Sequence, residues 1–178
     1  MSKGGIDLRT LSDANRIHVL KIIHEQKSIS RTELAGMTGL SLSAVSRIVK
    51  QLIEDGFVLE TGYGDSSGGR KPITIRVNPL AGYVIGVDFS KTKANAGVFN
   101  FCGEMIFQYV APIHGRAYLD GLYEAIDNCV AFLHAKERLM LIYCGVRGLI
   151  DSNTGTILSS TTFGWENIPL RQLLTDRY

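Results

Sequence analysis

Apolar positions in the first part of the chain recur three times at helical spacing and then change to alternation. Ile17, Leu20 and Ile23 mark an amphipathic helix over Ser12 to Gln26 with those three side chains facing inward. Ser30-Arg31-Thr32-Glu33 then forms a capping box, in which the serine and glutamate side chains satisfy two amide donors left open at a helix start. Leu34 and Met37 supply the apolar face of this second helix, and Thr38-Gly39 breaks it. Ser41 is a good N-cap for a third helix, which runs to Glu54 and stops at Gly56, where a left-handed residue is wanted. In it Val45, Ile48, Val49 and Leu52 fall on one stripe, while Ser43, Arg47 and Lys50 share the other face. Phe57 to Tyr63 is rich in β-formers, and Ile73-Thr74-Ile75-Arg76-Val77 alternates strictly, so the pair predicts a hairpin.

A short helix, a glycine turn and a helix with a polar, basic outer face suit the DNA major groove. With the hairpin, the pattern predicts a winged helix-turn-helix, mainly α with a β-wing, and DNA as partner. Ser41, Ser43, Ala44, Ser46, Arg47 and Lys50 are the candidate contacts from the third helix. Ser43 and Ser46 can meet bases or phosphates, Ala44 a thymine methyl, and Arg47 a guanine or a phosphate. Between the hairpin strands, Gly64-Asp65-Ser66-Ser67-Gly68-Gly69-Arg70-Lys71-Pro72 is a flexible loop ending in two cations. Such a wing can place Arg70 in a narrow minor groove and Lys71 on a neighbouring phosphate. The bland alternative is a solvated hairpin tip that happens to be basic.

Asn78-Pro79-Leu80-Ala81-Gly82 interrupts the strand pattern and predicts a boundary, giving domains over 1–79 and 80–178. Beyond it the chain turns to strands: Tyr83 to Phe89, Ala94 to Phe101 and Met105 to Val110, with a turn at Asn100 to Gly103. Ala117 to Arg138 returns to helical spacing through Leu119, Leu122, Ala125, Ile126, Val130 and Leu133, and Leu139 to Val146 is a continuous apolar run of the fully buried strand type. A short amphipathic stretch over Leu170 to Leu174 comes last. Three strands, a helix and a strand predict the opening of an α/β domain, incomplete as it stands.

Composition changes this picture little; charge distribution adds to it. The net charge of +2 is uninformative. Through Pro79, however, 11 Lys and Arg stand against 8 Asp and Glu, a net of +3, and the remainder holds 8 against 9, a net of −1. The mildly basic part is the predicted phosphate-binding one. Cys102, Cys129 and Cys144 show no metal-ligand pattern and are expected to be buried thiols in a reducing, cytoplasmic setting. His18, His24, His114 and His134 show no ligand spacing, so no metal site is expected. No signal peptide and no apolar run of membrane-spanning length is apparent, and no membrane partner is expected.

Three ordered stretches resemble the ROK family of transcriptional regulators and sugar kinases, its repressor branch in particular. One is the winged helix with its Gly68-Gly69-Arg70-Lys71-Pro72 wing. Another is Gly86-Val87-Asp88-Phe89-Ser90-Lys91-Thr92-Lys93, which stands where the kinases have an Asp-x-Gly-Gly-Thr-Lys phosphate loop. The third runs from Gly145-Val146-Arg147-Gly148-Leu149-Ile150-Asp151 through Thr154-Gly155 to Gly164-Trp165-Glu166-Asn167-Ile168-Pro169-Leu170, in the region of the family's Gly-Val-Pro-Gly signature. The resemblance implies that the second domain is the first part of an actin-like, ribonuclease H-like ATPase lobe of the sugar-kinase type. It also implies that the Asn-Asp motif holding the kinase catalytic aspartate, the Glu-x-Gly-His segment and the Cys-rich zinc site would lie beyond Tyr178. No cofactor within this chain is therefore expected.

The departures from the kinase pattern have a physical reading. A phosphate cradle needs glycines so that amides can approach the anion without a Cβ in the way. Ser90 and Lys91 occupy those places, leaving Asp88, Thr92 and Lys93 as a vestigial loop, an ordinary hairpin turn. Arg147 replaces the usual proline near the sugar pocket, and Thr161-Thr162 stand where Pro-Asn is common. The expected pocket wall is a loop from Gly148 to Trp165, with Gly148, Ser160 and Thr162 as candidate ligand contacts. Two function classes compete. One is a non-enzymatic regulator, read as a repressor, that binds an operator as a homodimer and senses a sugar or sugar phosphate; the other is a sugar kinase with a DNA-binding appendage. A regulator that keeps only DNA binding is a third reading. An unfinished lobe is also expected to leave a sheet edge and apolar faces uncovered, inviting association.

Overall fold

The computed structural model describes residues 8–63, 73–133 and 138–178. The chain divides into two compact units, Met1–Ala81 and Gly82–Tyr178. In the first, α1 (Leu8–Gln26), β1 (Ile29–Ser30), α2 (Arg31–Thr38) and α3 (Leu42–Glu54) lead into the hairpin of β2 (Val58–Tyr63) and β3 (Ile73–Val77). Ser30 Oγ accepts from Glu33 N at 3.3 Å while Ser30 N donates to Glu33 Oε2 at 2.8 Å, so the capping box is formed. Gly39, at φ 68, ends α2 and makes the tight turn that a side chain would strain. Ser41 caps α3 by accepting from Ala44 N at 3.2 Å, and Gly56 reverses the chain behind it at φ 78.

The core of this unit is built by the predicted stripe of α3. Val45, Ile48, Val49 and Leu52 are buried with Val19 and Ile23 of α1, Leu34 of α2, and Ile75 of β3, each contributing about 1.5–3 kcal/mol of burial. Two expected inward residues prove exposed. Ile17 is 68% exposed, because steps of three residues fall 60° short of a full turn each time; the buried stripe of α1 is instead Val19, Ile22 and Ile23. Met37 is 52% exposed, leaving Leu34 as the buried residue of α2. The two-residue strand β1, unmarked by any pattern of its own, pairs antiparallel with β3 through Ile29↔Ile75 and makes the sheet three-stranded. Arg16 of α1 is ion-paired with Asp55 behind α3, and Arg31 Nη2 reaches Glu60 Oε1 of β2 at 2.7 Å.

In the second unit β4 (Tyr83–Phe89), β5 (Lys93–Asn100) and β6 (Met105–Pro112) form an antiparallel meander. Helix α4 (Tyr118–Phe132) then leads to β7 (Leu139–Gly145), which lies parallel to β4, in the order β6-β5-β4-β7. The β5–β6 turn is held by Asn100, whose Oδ1 accepts from Cys102 N at 2.9 Å and Glu104 N at 3.0 Å. Ile85, Val87, Phe89, Ala94, Ala96 and Val98 form one face of the sheet and bury Leu122, Ala125, Ile126 and Cys129 of α4. The expected loop from Gly148 to Trp165 is a second antiparallel sheet: β8 (Leu149–Asp151), β9 (Thr156–Ser160) and β10 (Trp165–Ile168). Its β9–β10 turn inserts Phe163 between Phe89 and Tyr118, with ring centroids at 4.7 and 5.0 Å. Helix α5 (Leu170–Arg177) closes the described chain.

Strand β7 departs from the fully buried type. Met140, Leu141 and Tyr143 are exposed, since β7 is the edge of its sheet among the described residues and no element covers its outer side. Of the cysteines, all free, Cys129 is buried whereas Cys102 and Cys144 are only partly so. Burial pushes the Cys129 and Cys144 thiols up to about 11, which keeps both protonated near neutrality. Among the described residues no group of His, Cys, Asp and Glu could hold a metal ion, and no helix is long and apolar enough to cross a membrane.

Candidate nucleic-acid interface

The buried stripe of α3 fixes which side of the helix faces out. Ser43, Arg47 and Lys50 are exposed on that side, and Ala44 and Ser46 are half-buried at its margins. Ser41 is exposed at the start, but its hydroxyl is engaged as the cap and lies 3.0 Å from Ser43 Oγ. Lys50 Nζ stands 3.7 Å from Glu54 Oε1 one turn on, a solvated pair that a phosphate could replace. Arg47 has no ion pair among the described residues. A helix held from behind by four aliphatic side chains, with hydroxyls and cations in front, is a rigid probe of the width that a major groove admits. Arg70 and Lys71 lie outside the described residues. The strands that carry the wing are described, and Thr61 and Thr74 tie them together by an Oγ1···Oγ1 contact of 3.2 Å and a Thr74 Oγ1 bond to Thr61 O at 2.8 Å.

In the second unit the stretch from Asp88 to Lys93 is a hairpin turn joining β4 and β5. Ser90 N donates to Lys93 O at 2.9 Å, and Ser90 Oγ accepts from Thr92 N at 3.4 Å and Lys93 N at 3.3 Å. The amides that would cradle a phosphate are thus turned inward onto a serine. Asp88, Thr92 and Lys93 are exposed around it.

The expected effector contacts separate. Ser160 is buried, and its hydroxyl donates to Arg147 O at 2.6 Å, so it braces the β7–β8 turn. Gly148 is where the chain passes over β9. A Cβ there would lie 2.6 Å from the Ser159 carbonyl oxygen, which explains the glycine without any ligand. Thr162 is half-buried in the β9–β10 turn, and its hydroxyl makes no hydrogen bond among the described residues. A contact unmarked in the sequence is the clamp by Arg171 of α5, whose guanidinium donates to Asn153 O at 2.6 Å and Ser152 O at 3.0 Å. Asp151 accepts from Asn153 N and Thr154 Oγ1 in the same turn, and these bonds hold its carboxyl below the usual carboxylate range.

The architecture is that of a winged helix followed by an α/β lobe. Residues 12–58 match the winged helix-turn-helix DNA-binding family, and residues 84–178 match the ROK family. The chain belongs to the ROK family. It is 34% identical over 173 residues to a xylose repressor of Caldicellulosiruptor bescii, covering 94% of this chain and 43% of that protein. It is 28% identical to a xylose repressor of Bacillus subtilis (97% and 46% covered) and to an N-acetylglucosamine repressor of Escherichia coli O6:H1 (98% and 44%). The crystal structure of a ROK family transcriptional regulator, a homologue of the E. coli MLC protein, superimposes with a TM-score of 0.64 at 18% identity, over 92% of this chain and 43% of that one, and shares the fold. The chain therefore spans less than half the length of the relatives it matches.

Proposed function

We propose that this chain acts in a sequence-specific transcriptional repressor of carbohydrate-utilisation genes. It reads a double-stranded operator with α3 and the wing, and receives a sugar or sugar-phosphate signal through the ROK lobe. The observation that carries the reading is the outward face of α3: Ser43, Ser46, Arg47 and Lys50 presented together on a helix whose opposite stripe is wholly buried. The names of the similar repressors support it. Homodimerisation fits, because two half-sites one helical turn apart multiply a weak single contact. A cytoplasmic location and the lack of any cofactor held by these residues belong to the same reading.

Phosphoryl transfer is not part of it. Catalysis of that reaction rests on positioning the phosphates and neutralising their charge, and the turn at Ser90 spends its amides internally. Selection of bound duplexes from a random pool, followed by addition of xylose, N-acetylglucosamine and their phosphates, tests the proposal. Enrichment of a defined, two-fold related sequence is the expected result. A pool that stays random ends the DNA reading, and an enriched sequence that no sugar releases reduces it to a regulator without sensing.

A further inference from the structure

Leu42 is the first residue of α3 and is 51% exposed, an apolar side chain among the hydroxyls and cations that the helix presents outward. Its place follows from helix geometry. Side chains lean toward the N-terminus of a helix, so that of the first residue extends past the helix end with no earlier turn to lie against. Val45, three residues on, belongs to the inward stripe and is fully buried, whereas Leu42 stands at the border between that stripe and the outward face. The hydroxyls on either side of it are already engaged. Ser41 Oγ accepts from Ala44 N at 3.2 Å and lies 3.0 Å from Ser43 Oγ, so the two hydroxyls hold the cap and each other. What the helix leads with is leucine.

On most surfaces a single exposed leucine calls for no explanation. On the leading turn of a helix that enters a major groove it faces base edges, because the N-terminal residues of such a helix are the ones that reach them. Of the four bases only thymine offers an apolar group there, its C5-methyl. We infer that Leu42 is a specificity-determining residue that reads a thymine of the operator half-site by packing on this methyl group. Against cytosine the methyl is missing and an amino donor adjoins its place. Against adenine or guanine the leucine covers polar edge atoms and leaves them without partners. The contact therefore favours thymine and also rejects the alternatives. It deepens the DNA half of the proposed function and rests on that reading.

The test uses the duplex that the 178-residue chain enriches from the random pool. Each thymine is replaced in turn by deoxyuridine, which removes the methyl group and nothing else, and binding is read by fluorescence anisotropy. At one thymine of a half-site, uracil should weaken binding about three- to tenfold, the scale of one methyl group taken out of water. Leu42→Ala should weaken binding to the parent duplex by a similar factor and show no further loss with uracil at that position, since the two changes remove the same contact. Leu42→Met, which keeps an apolar group of like size, should retain the uracil penalty. At the same position 5-methylcytosine should bind better than cytosine with the parent chain and no better with Leu42→Ala. Residue 42 is exposed, and an unchanged thermal midpoint shows that the variants fold. A flat uracil scan on a tightly bound operator overturns the inference and leaves the DNA reading intact. So does a penalty that persists in full in Leu42→Ala, which assigns the methyl to another side chain such as Ala44. A chain that enriches no duplex at all sinks both.

Discussion

Arg47 and Glu33 show how single residues divide the labour of the winged helix. Arg47 extends from the exposed face of α3 with its charge unspent. Its replacement by alanine should weaken operator binding by about 1–3 kcal/mol if it reads a base, measurable by fluorescence anisotropy on the selected duplex. An unchanged titration curve would mean that the guanidinium only decorates a solvated face. Glu33 works from within. The amide and hydroxyl of Ser30 both donate to its carboxylate and hold it below its ordinary value of 4.5. A depressed carboxyl stabilises the folded state above its unfolded value and loses that contribution as pH falls through the folded one. The thermal midpoint of the chain should therefore drop on acidification below about 4.5 by more than that of Glu33→Gln, which keeps the capping geometry but cannot titrate. Parallel pH profiles for the two proteins would show that the capping box is electrostatically idle.

At the scale of elements, what the sequence revealed depended on how locally each element is determined. The capping box, the Ser41 cap and the stripe of Val45, Ile48, Val49 and Leu52 are set by neighbours within a turn or two, and α2 and α3 form as their spacing predicts. The burial of α1 is not legible at Ile17, because a step of three drifts around the helix and only the packing of α3 decides which drift wins. The β8–β10 meander carries no strand signal in the sequence, since its strands are three to five residues long and are defined by pairing with one another. Ser160 and Gly148 are candidate ligand contacts in the sequence; the hydrogen bond to the Arg147 carbonyl and the closeness of Ser159 also give both a part in holding that meander. The wing belongs to this scale too. If Arg70 and Lys71 contact DNA, neutralising Lys71 should reduce the log–log salt slope of operator binding by about one unit. A slope equal to that of the parent would show that the tip between β2 and β3 never reaches a phosphate.

For the whole molecule, the two units differ in how far each satisfies itself. The winged helix closes its core from its own elements, with Val19, Ile23, Leu34, Val49, Leu52 and Ile75 fully enclosed. The lobe does not. Along β7, Leu141 and Tyr143 are 55% and 66% exposed, and Met105 and Val110 of β6 extend the apolar surface to the other edge of the sheet. Beside β7 a hollow of about 630 Å³ is lined by Leu141, Ile142, Ile157, Leu170 and Leu174 among others. An edge strand that is apolar on its open side templates pairing with another chain. The 178-residue chain should accordingly self-associate with rising concentration in sedimentation velocity, and Leu141→Lys/Tyr143→Lys should shift it toward monomer, since lysine on an edge opposes strand addition. If that association also joins two winged helices on one duplex, the same variant should bind a single half-site as the parent does and lose affinity only for the two-fold operator. A parent chain that stays monomeric at every concentration, or a variant that associates as strongly, would show that the exposed face of β7 is inert and that any dimer of this protein is made elsewhere.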